Sequence, residues 1–313
     1  MSIPVVNLAD FTRGDAQSKA NFVQELGKAY EDVGFVAVKN HGISADLIKD
    51  LYAYTQEFFA LPVATKKTYE IPGLAGQRGY TSFGKEHAKG SDAPDLKEFF
   101  QFGQTVKDND PIKEHYPSNV SVNEVPEFYP TMLAAYESFE NTGKKLLQSI
   151  ALYLGLDENY FEPHIHNGNS ILRAIHYPPI TTEPKSSIRS EQHEDINLIT
   201  LLVGASADGL QVMNLNGEWV SATSQPDEIV VNVGDMLQRL TNNKLRSTTH
   251  RVVNPPRELW GTARFSMPFF FHPRSEMSLA CLESCIDEQH PKAYPDYTAG
   301  EYLEERLREI GLL

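Results

Sequence analysis

The chain has 313 residues, 41% of them hydrophobic, which is enough to bury a sizeable core in one large domain or in two closely packed ones. Its net charge of -14, from 28 basic and 42 acidic residues, argues against nucleic-acid and anionic-membrane partners and favours small molecules. No apolar run approaches the roughly 20 residues of a membrane span, the N-terminus has no basic and apolar leader, and only two cysteines occur, so we expect a soluble, cytoplasmic protein.

The first half of the sequence predicts mainly helices. Residues 18–34 repeat apolar side chains at helical spacing, and the apolar GFVAV that follows indicates a strand. A second helix is predicted after Ser44, whose hydroxyl can cap it, and it ends at Pro62. A third, longer helix is predicted over residues 127–156, with Gly143 lowering the helix propensity near its centre.

From about residue 168 the pattern changes to short β-branched and aromatic runs, such as NLITLLV and EIVVNV, separated by turn residues. Asn216-Gly217 is typical of a hairpin turn between two of these runs. The regular spacing predicts an all-β sandwich or jelly roll. The polar stretch 104–125 is the best candidate for a mobile connection, and it divides a helical region, residues 1–125, from the core, residues 126–313.

Three residues in the second half are candidate metal ligands. In a strand, residues i and i+2 project from the same face, so His193 and Asp195 could both point into the mouth of a barrel. This pair alone is more often structural, but His250 lies in another predicted strand and supplies a third ligand. Two histidines and one carboxylate leave three positions of an octahedral ion open, an arrangement associated with non-haem Fe(II) oxygenases.

His164 and His166 are also two residues apart. Since they follow a proline and precede Asn-Gly, we expect them on a loop and without a metal role.

A second pair, Arg264 and Ser266, shares one face of a predicted strand. A guanidinium and a hydroxyl together can hold a carboxylate, although the arginine could equally pair with a neighbouring Asp or Glu. Together with a metal triad, this pair favours a binding site for a 2-oxo acid. Such an acid chelates iron at one end and needs its far carboxylate held at the other. Tyr177 is a plausible additional donor to that acid.

Together these motifs resemble the isopenicillin N synthase-like, 2-oxoglutarate and Fe(II)-dependent dioxygenases over nearly the whole chain. The matching segments occur in the family's order, and they include GFVAVKNHGI, RGYTSFG, LRAIHYPP, QHEDINLITLL, STTHRVV and RFSMPFFFHP. The resemblance implies an α+β fold, with a double-stranded β-helix (jelly roll) core flanked by helices. Residues 1–125 would then be the family's helical N-terminal region, and residues 126–313 its core with a leading and a C-terminal helix.

The resemblance also implies residue roles. It assigns His193, Asp195 and His250 as iron ligands, Arg264 and Ser266 as the clamp for the C5 carboxylate of 2-oxoglutarate, and Tyr177 as a donor to this co-substrate. Two positions depart from plant relatives. Glu194 replaces a frequent threonine between the first two ligands, and Ile175 replaces a frequent asparagine, which leaves the co-substrate contacts less defined.

The expected function is therefore a dioxygenase that uses Fe(II), 2-oxoglutarate and dioxygen. It would hydroxylate, desaturate or cyclise a small organic substrate and release succinate and carbon dioxide. The alternatives are an isopenicillin N synthase-type Fe(II) oxidase without 2-oxoglutarate, a non-catalytic metabolite-binding jelly-roll protein and, with least support, a zinc hydrolase.

For the substrate pocket we expect apolar side chains around the iron, and candidates are Tyr80, Phe83 and Phe269. Each of these is as readily explained as an ordinary core aromatic. The sequence does not select the substrate, and it is compatible with a monomer or a weak homo-oligomer.

Overall fold

Helices surround two β-sheets in the computed structural model, which describes residues 3–74, 76–86, 93–184, 186–204 and 208–309. The helices are α1 (Leu8–Arg13), α2 (Ala16–Asp32), α3 (Ala45–Ala60), α4 (Val63–Lys67), α5 (Phe128–Tyr153), α6 (Glu162–Ile165), α7 (Asp235–Leu240) and α8 (Ala299–Glu309). Short 3-10 turns cover Pro111–His115, Arg257–Leu259 and Glu283–Cys285. Among the described residues, none of the helices combines the length and the apolar character needed to cross a bilayer.

The strands are β1 (Val5–Asn7), β2 (Phe35–Lys39), β3 (Gly79–Thr81), β4 (Glu98–Gly103), β5 (Ile171–Tyr177), β6 (Ser190–His193), β7 (Ile199–Val203), β8 (Leu210–Met213), β9 (Trp219–Ser221), β10 (Glu228–Val233), β11 (His250–Val252) and β12 (Arg264–Phe271). The large sheet has the order β1-β2-β10-β7-β12-β5-β4-β3, and the small sheet has the order β6-β11-β8-β9. Both sheets line one central cavity. The predicted jelly-roll core is confirmed.

The three predicted helices are present as α2, α3 and α5. The Ser44 hydroxyl accepts a hydrogen bond from the backbone N–H of Leu47, as a helix cap should. Gly143 does not interrupt α5, and its role is in packing. A Cβ there would lie 2.5 Å from the ring of Phe271 on β12, so only glycine lets the helix approach the sheet this closely.

The large sheet crosses the predicted boundary at residue 125. Strands β1 to β4 belong to the first 125 residues, and they extend the sheet at both ends by pairing β2 with β10 and β4 with β5. The predicted N-terminal region and the predicted core therefore share one continuous sheet. In the connection 104–125, the Asn119 side chain bonds back to the backbone of Gly103 with two hydrogen bonds of 2.7 Å.

The pleat of β12 separates two environments. Alternate residues of this strand line the central cavity, and these are Arg264, Ser266, Pro268 and Phe270. On the other face of the strand, Met267, Phe269 and Phe271 are buried in the main hydrophobic core, and Phe265 packs against it. This alternation follows from the two-residue period of a strand, and it decides which side chains can reach the site.

Candidate active site

Two histidines face each other across neighbouring strands. His193 is the last residue of β6 and His250 is the first of β11, and the antiparallel register places them directly opposite each other. Their ring centroids are 4.4 Å apart. Sheet register therefore brings together two imidazoles that are far apart in the sequence.

Asp195 completes the cluster from the segment between β6 and β7. Strand β6 ends at His193, so Asp195 does not share a strand face with it, and the irregular segment after the strand directs its carboxylate to the same point. Asp195 Oδ1 lies 3.8 Å from Nε2 of His193 and 3.7 Å from Nε2 of His250. The three candidate ligand atoms lie within 4.8 Å of one another.

Hydrogen bonds outside the cluster orient all three side chains. Nδ1 of His193 lies 2.7 Å from the Glu191 carbonyl oxygen, and Nδ1 of His250 lies 3.1 Å from that of Thr248. A carbonyl can only accept, so each Nδ1 is the protonated nitrogen, and in a neutral imidazole Nε2 then keeps its lone pair for a metal.

The two oxygens of the Asp195 carboxylate likewise face different partners. Its Oδ2 accepts hydrogen bonds from Thr200 Oγ1 at 2.6 Å and from Asn232 Nδ2 at 2.8 Å, which leaves Oδ1 to face the histidines. Ligating residues in metalloproteins are held by outer hydrogen bonds of this kind. The donor set thus fits a divalent metal that is bound on one face.

The charge states suit metal binding as well. Burial and the adjacent His250 lower the pKa of His193 to about 4, so its imidazole is neutral at pH 7. Burial raises the pKa of Asp195, but His250, His193 and the hydrogen bonds from Asn232 and Thr200 lower it more, and the net shift is downward. Neutral imidazoles and an ionised carboxylate are the forms that coordinate a metal.

Arg264, Ser266 and Tyr177 lie together on two paired strands. Arg264 is paired directly with Tyr177 across β12 and β5, and its guanidinium lies 5.0 Å from the centre of the tyrosine ring. All three side chains are buried, and all three line the cavity that contains the histidine and aspartate cluster. The predicted clamp residues therefore share one cavity with the predicted metal ligands.

Arg189 is a buried cation that the sequence analysis missed. Its guanidinium lies 6.0 Å from the centre of the Tyr177 ring, and Nη2 donates to the Thr262 carbonyl at 2.9 Å. Burial and the nearby charge of Arg264 lower the pKa of Arg189 to about 10. A lone arginine in a polar loop gives no sequence signal for such a position.

The three predicted pocket aromatics do not line the cavity. Tyr80 is buried in the hydrophobic core against Phe58, and the side chain of Phe83 is 49% exposed at the surface. Phe269 stacks on Phe139 of α5, on the opposite face of β12 from Arg264 and Ser266. An odd separation along a strand reverses the face, so the cavity-facing aromatic on this strand is Phe270.

A cluster of four charged side chains forms part of the cavity wall, and it was not predicted. We call it the cavity cluster, and its members are Glu86, Asp95, Lys97 and Arg173. Lys97 Nζ lies 2.8 Å from both Glu86 Oε1 and Asp95 Oδ2, and Arg173 Nη1 lies 3.2 Å from Glu86 Oε2. Alternating charges in PDLKEFF were the available signal, but they are also typical of a solvated strand.

Electrostatics keep Glu86 and Lys97 of the cavity cluster ionised. Burial raises the pKa of Glu86, but the charges of Lys97 and Arg173 lower it more, to about 2. Burial lowers the pKa of Lys97, but the charges of Glu86 and Asp95 raise it by more, so the net shift is upward. Glu86 and Lys97 are therefore both charged at pH 7.

The remaining predicted pair lies elsewhere. His164 is in α6 and His166 caps its end, and neither belongs to the metal-ligating cluster found among the described residues.

Two parts of the chain match known domain families. Residues 3–127 match the N-terminal domain described for the non-haem dioxygenase in morphine synthesis, and residues 168–273 match the 2OG-Fe(II) oxygenase superfamily. Among curated relatives, a proline hydroxylase of Petromyces alliaceus is 33% identical over 98% of this chain and 99% of its own length. A 2-oxoglutarate-Fe(II) type oxidoreductase of Aspergillus fumigatus is 29% identical over 97% of this chain and 92% of its own.

Solved structures show the same similarity. A protein assigned to the 2OG-Fe(II) oxygenase family from Caulobacter crescentus has a TM-score of 0.88 and 41% identity, with 98% of this chain and 99% of that chain covered. A full-length Neurospora crassa protein, solved in complex with alpha-ketoglutarate and thymine, has a TM-score of 0.86 and 28% identity, covering 98% of this chain and 96% of that chain.

Proposed function

The chain belongs to the isopenicillin N synthase-like 2-oxoglutarate and Fe(II)-dependent oxygenases, and on this premise we propose that His193, Asp195 and His250 hold its ferrous ion. The single observation that supports this most strongly is the orientation of the three side chains. Both Nδ1 atoms and Asp195 Oδ2 are engaged outside the cluster, while both Nε2 atoms and Oδ1 converge on one point.

The enzyme is a 2-oxoglutarate-dependent dioxygenase that oxidises a small organic substrate. Bound Fe(II) supplies, together with 2-oxoglutarate and dioxygen, the oxidising power to break a substrate C–H bond. The protein itself contributes position and exclusion of water. Apolar side chains line the cavity beside the proposed ligands, including Phe35, Leu202, Val230 and Val252. Excluding water protects a reactive centre from side reactions.

We propose that Arg264 and Ser266 bind the far carboxylate of 2-oxoglutarate. A buried guanidinium and a hydroxyl two residues apart on one strand face can donate hydrogen bonds to one carboxylate. Tyr177 lies beside Arg264 and can donate a further hydrogen bond from its hydroxyl. Arg189 adds a second positive charge next to the same tyrosine, which favours a dianionic co-substrate at this end of the cavity.

The two cysteines, Cys281 and Cys285, are free thiols. Free thiols support our proposal that the enzyme works in the reducing cytoplasm.

The test is oxygen consumption by purified protein with Fe(II) and 2-oxoglutarate, scored by succinate formation. We expect slow succinate formation without substrate, since 2-oxoglutarate can be decarboxylated in uncoupled turnover. Absence of succinate, with oxygen uptake only in the presence of an organic substrate, would favour the isopenicillin N synthase-type oxidase.

The residue assignments need a separate readout. Anaerobic addition of 2-oxoglutarate to the Fe(II) protein should give a weak visible absorption band. Loss of this band in Arg264→Leu with iron content retained would support the clamp, and an unchanged band and an unchanged affinity for 2-oxoglutarate would refute it.

A further inference from the structure

The cavity cluster is joined directly to the strand that carries the first proposed metal ligand. Asp95 Oδ1 accepts a hydrogen bond from the backbone N–H of Glu191 at 3.0 Å, and Lys97 Nζ lies 3.3 Å from Ser190 Oγ. Ser190 and Glu191 belong to β6, which ends at His193. The cluster is therefore fixed relative to the metal centre, as a substrate-holding group must be.

Within the cluster Lys97 has no hydrogen-bonding capacity left. Its ammonium group has three protons, and it contacts Glu86, Asp95 and Ser190. Lys97 therefore organises the cluster and leaves recognition to its neighbours.

Arg173 and Glu86 keep unused groups side by side. Arg173 Nε donates to Gln101 Oε1 at 2.9 Å and Nη1 to Glu86 Oε2 at 3.2 Å, while Nη2 has no hydrogen-bond partner within the described part of the chain. Glu86 Oε2 accepts only from Arg173 among those residues and has a second lone pair. The Arg173 side chain remains 16% exposed and lines the cavity.

Flat surfaces flank this donor and acceptor. The Arg173 guanidinium lies 4.1 Å from the centre of the Phe99 ring and 5.2 Å from that of Phe270. Phe270 also lines the cavity, so a flat molecule can lie against its ring while its polar edge meets Arg173 and Glu86.

The charge balance of the cluster favours a neutral ligand. Two cations, Lys97 and Arg173, are paired with two anions, Glu86 and Asp95, at 2.8 to 3.2 Å. An added anion would lose its hydration and meet no net positive charge, whereas a neutral carbonyl loses much less on burial.

The cavity also limits size. Its volume is about 270 Å³, and it lies along both the proposed metal ligands and the proposed co-substrate clamp. Pockets that hold one drug-sized ligand start at about 300 Å³. A substrate that shares this space with 2-oxoglutarate must be small.

We propose that the primary substrate is a small, neutral, planar cyclic amide, in which a ring carbonyl lies beside a ring N–H. The carbonyl accepts a hydrogen bond from Arg173 Nη2, the N–H donates to Glu86 Oε2, and the ring lies against Phe270. This inference rests on the proposed function of the site, because it takes the metal centre and the clamp as the other walls of the cavity.

The proposed substrate class is tested by titration calorimetry, which measures the binding of matched probes to the anaerobic complex of the protein with Fe(II) and 2-oxoglutarate. Uracil and 2-pyridone present the adjacent carbonyl and N–H, 1,3-dimethyluracil keeps the ring but blocks both N–H groups, and orotate adds a carboxylate to the uracil ring. We expect uracil and 2-pyridone to bind, and dimethyluracil and orotate to bind at least about tenfold more weakly, because a site built around hydrogen bonds rejects analogues that leave it unpaired.

The variant Arg173→Gln should weaken uracil binding at least about tenfold, with iron content and the anaerobic 2-oxoglutarate band used to check the rest of the site. Arg251→Gln is the matched control, because Arg251 also stacks on an aromatic ring, that of Trp219 at 4.0 Å, but does not line the cavity. It should bind uracil like the wild type.

Failure of the substrate inference can be distinguished from failure of the proposed function. Failure of uracil and 2-pyridone to bind, or tighter binding of orotate than of uracil, would overturn this inference even with normal succinate formation. Absence of both succinate formation and the 2-oxoglutarate band would instead overturn the proposed function. The probe series uses the wild-type protein, so it decides the question even if Arg173→Gln does not fold.

Discussion

Two buried charge clusters lie on opposite faces of the large sheet, near strands β4 and β5. The cavity cluster lies on one face, and on the other lies a cluster that we call the core cluster, made of Lys66, Tyr80, Glu98 and His176. Lys97 directly precedes Glu98, the first residue of β4, and the two adjacent side chains point to different sides of the sheet, as neighbours in an extended chain do. Two adjacent residues thus form buried ion pairs in two different environments.

The core cluster is closed. Glu98 lies 2.8 Å from Lys66 Nζ and 2.7 Å from His176 Nδ1, and it accepts a short hydrogen bond from the Tyr80 hydroxyl. Lys66 also donates to the Phe59 carbonyl at 3.1 Å. None of its four members lines the cavity.

The comparison teaches that burial and pairing of charges do not by themselves identify a functional site. Both clusters are buried and ion-paired, and both contain groups with shifted pKa values. They differ in what their own face of the sheet adjoins, since the face of the core cluster adjoins packed helices and the face of the cavity cluster adjoins the metal centre. Perturbed pKa values become evidence of function only with that geometry.

The largest effect is expected away from both clusters, at the metal centre. His250→Ala should abolish iron-dependent turnover while the two clusters stay intact, because it removes one of three proposed ligands. Iron content after dialysis and succinate formation measure this. Full activity in the variant would show that the third ligand is misassigned.

Glu98→Gln tests the core cluster. Removing one partner of a closed ion pair leaves Lys66 uncompensated, and we expect a loss of about 3 kcal/mol in the free energy of unfolding. Urea denaturation at pH 7 measures it. Glu86→Gln should lose only about 1 kcal/mol, because Lys97 keeps Asp95 and the cavity admits solvent. Equal losses would remove the contrast between the clusters.

The variant Glu98→Gln also has an expected pH dependence. Burial raises the pKa of Glu98, but His176, Lys66 and Tyr80 lower it more, to below the ordinary value of 4.5. A lowered folded-state pKa stabilises the fold above pH 4.5, and this contribution is lost as pH falls through the folded-state value. Glu98→Gln should therefore lose less stability than the wild type on acidification below pH 4.5, as measured by denaturation at each pH.

Thr200→Val tests the support of the metal centre. It removes the 2.6 Å hydrogen bond to Asp195 Oδ2 at nearly constant volume, and we expect iron affinity to fall about 10- to 100-fold. Metal titration with a competing chelator measures the affinity. Thr142→Val is the matched control, since the buried hydroxyl of Thr142 bonds to the His41 carbonyl instead. A similar loss in both variants would indicate a general effect on stability.

The smallest effect is expected for Arg189→Gln. Removing this second cation near Tyr177 should raise KM for 2-oxoglutarate about three- to tenfold, equivalent to about 1 kcal/mol, with kcat less affected. Uncoupled succinate formation across a range of 2-oxoglutarate concentrations measures both constants. If KM is unchanged, Arg189 is a structural arginine only.

Local sequence patterns determined the main helices, the strands of the jelly roll and the family of this protein. Helical spacing and the Ser44 cap predicted α2, α3 and α5, turn residues predicted the strands of the jelly roll, and the ordered motifs predicted the family, which is confirmed. The triad residues and the clamp were also named from spacing and motif, and their roles stay proposals. These features depend on contacts between residues that are near in sequence, or on motifs that are local in themselves.

Tertiary structure alone decided which side chains share the cavity. Phe269 could have been excluded by its odd separation from Arg264, but no pattern shows that register sets Arg173 opposite Gln101 and brings Glu86 to the same point. Nor does the sequence show that Lys97 faces the cavity while Glu98 faces the core. Local propensity fixes the alternation within a strand, whereas strand register and the packing of helices on one sheet face decide what each alternate side chain meets.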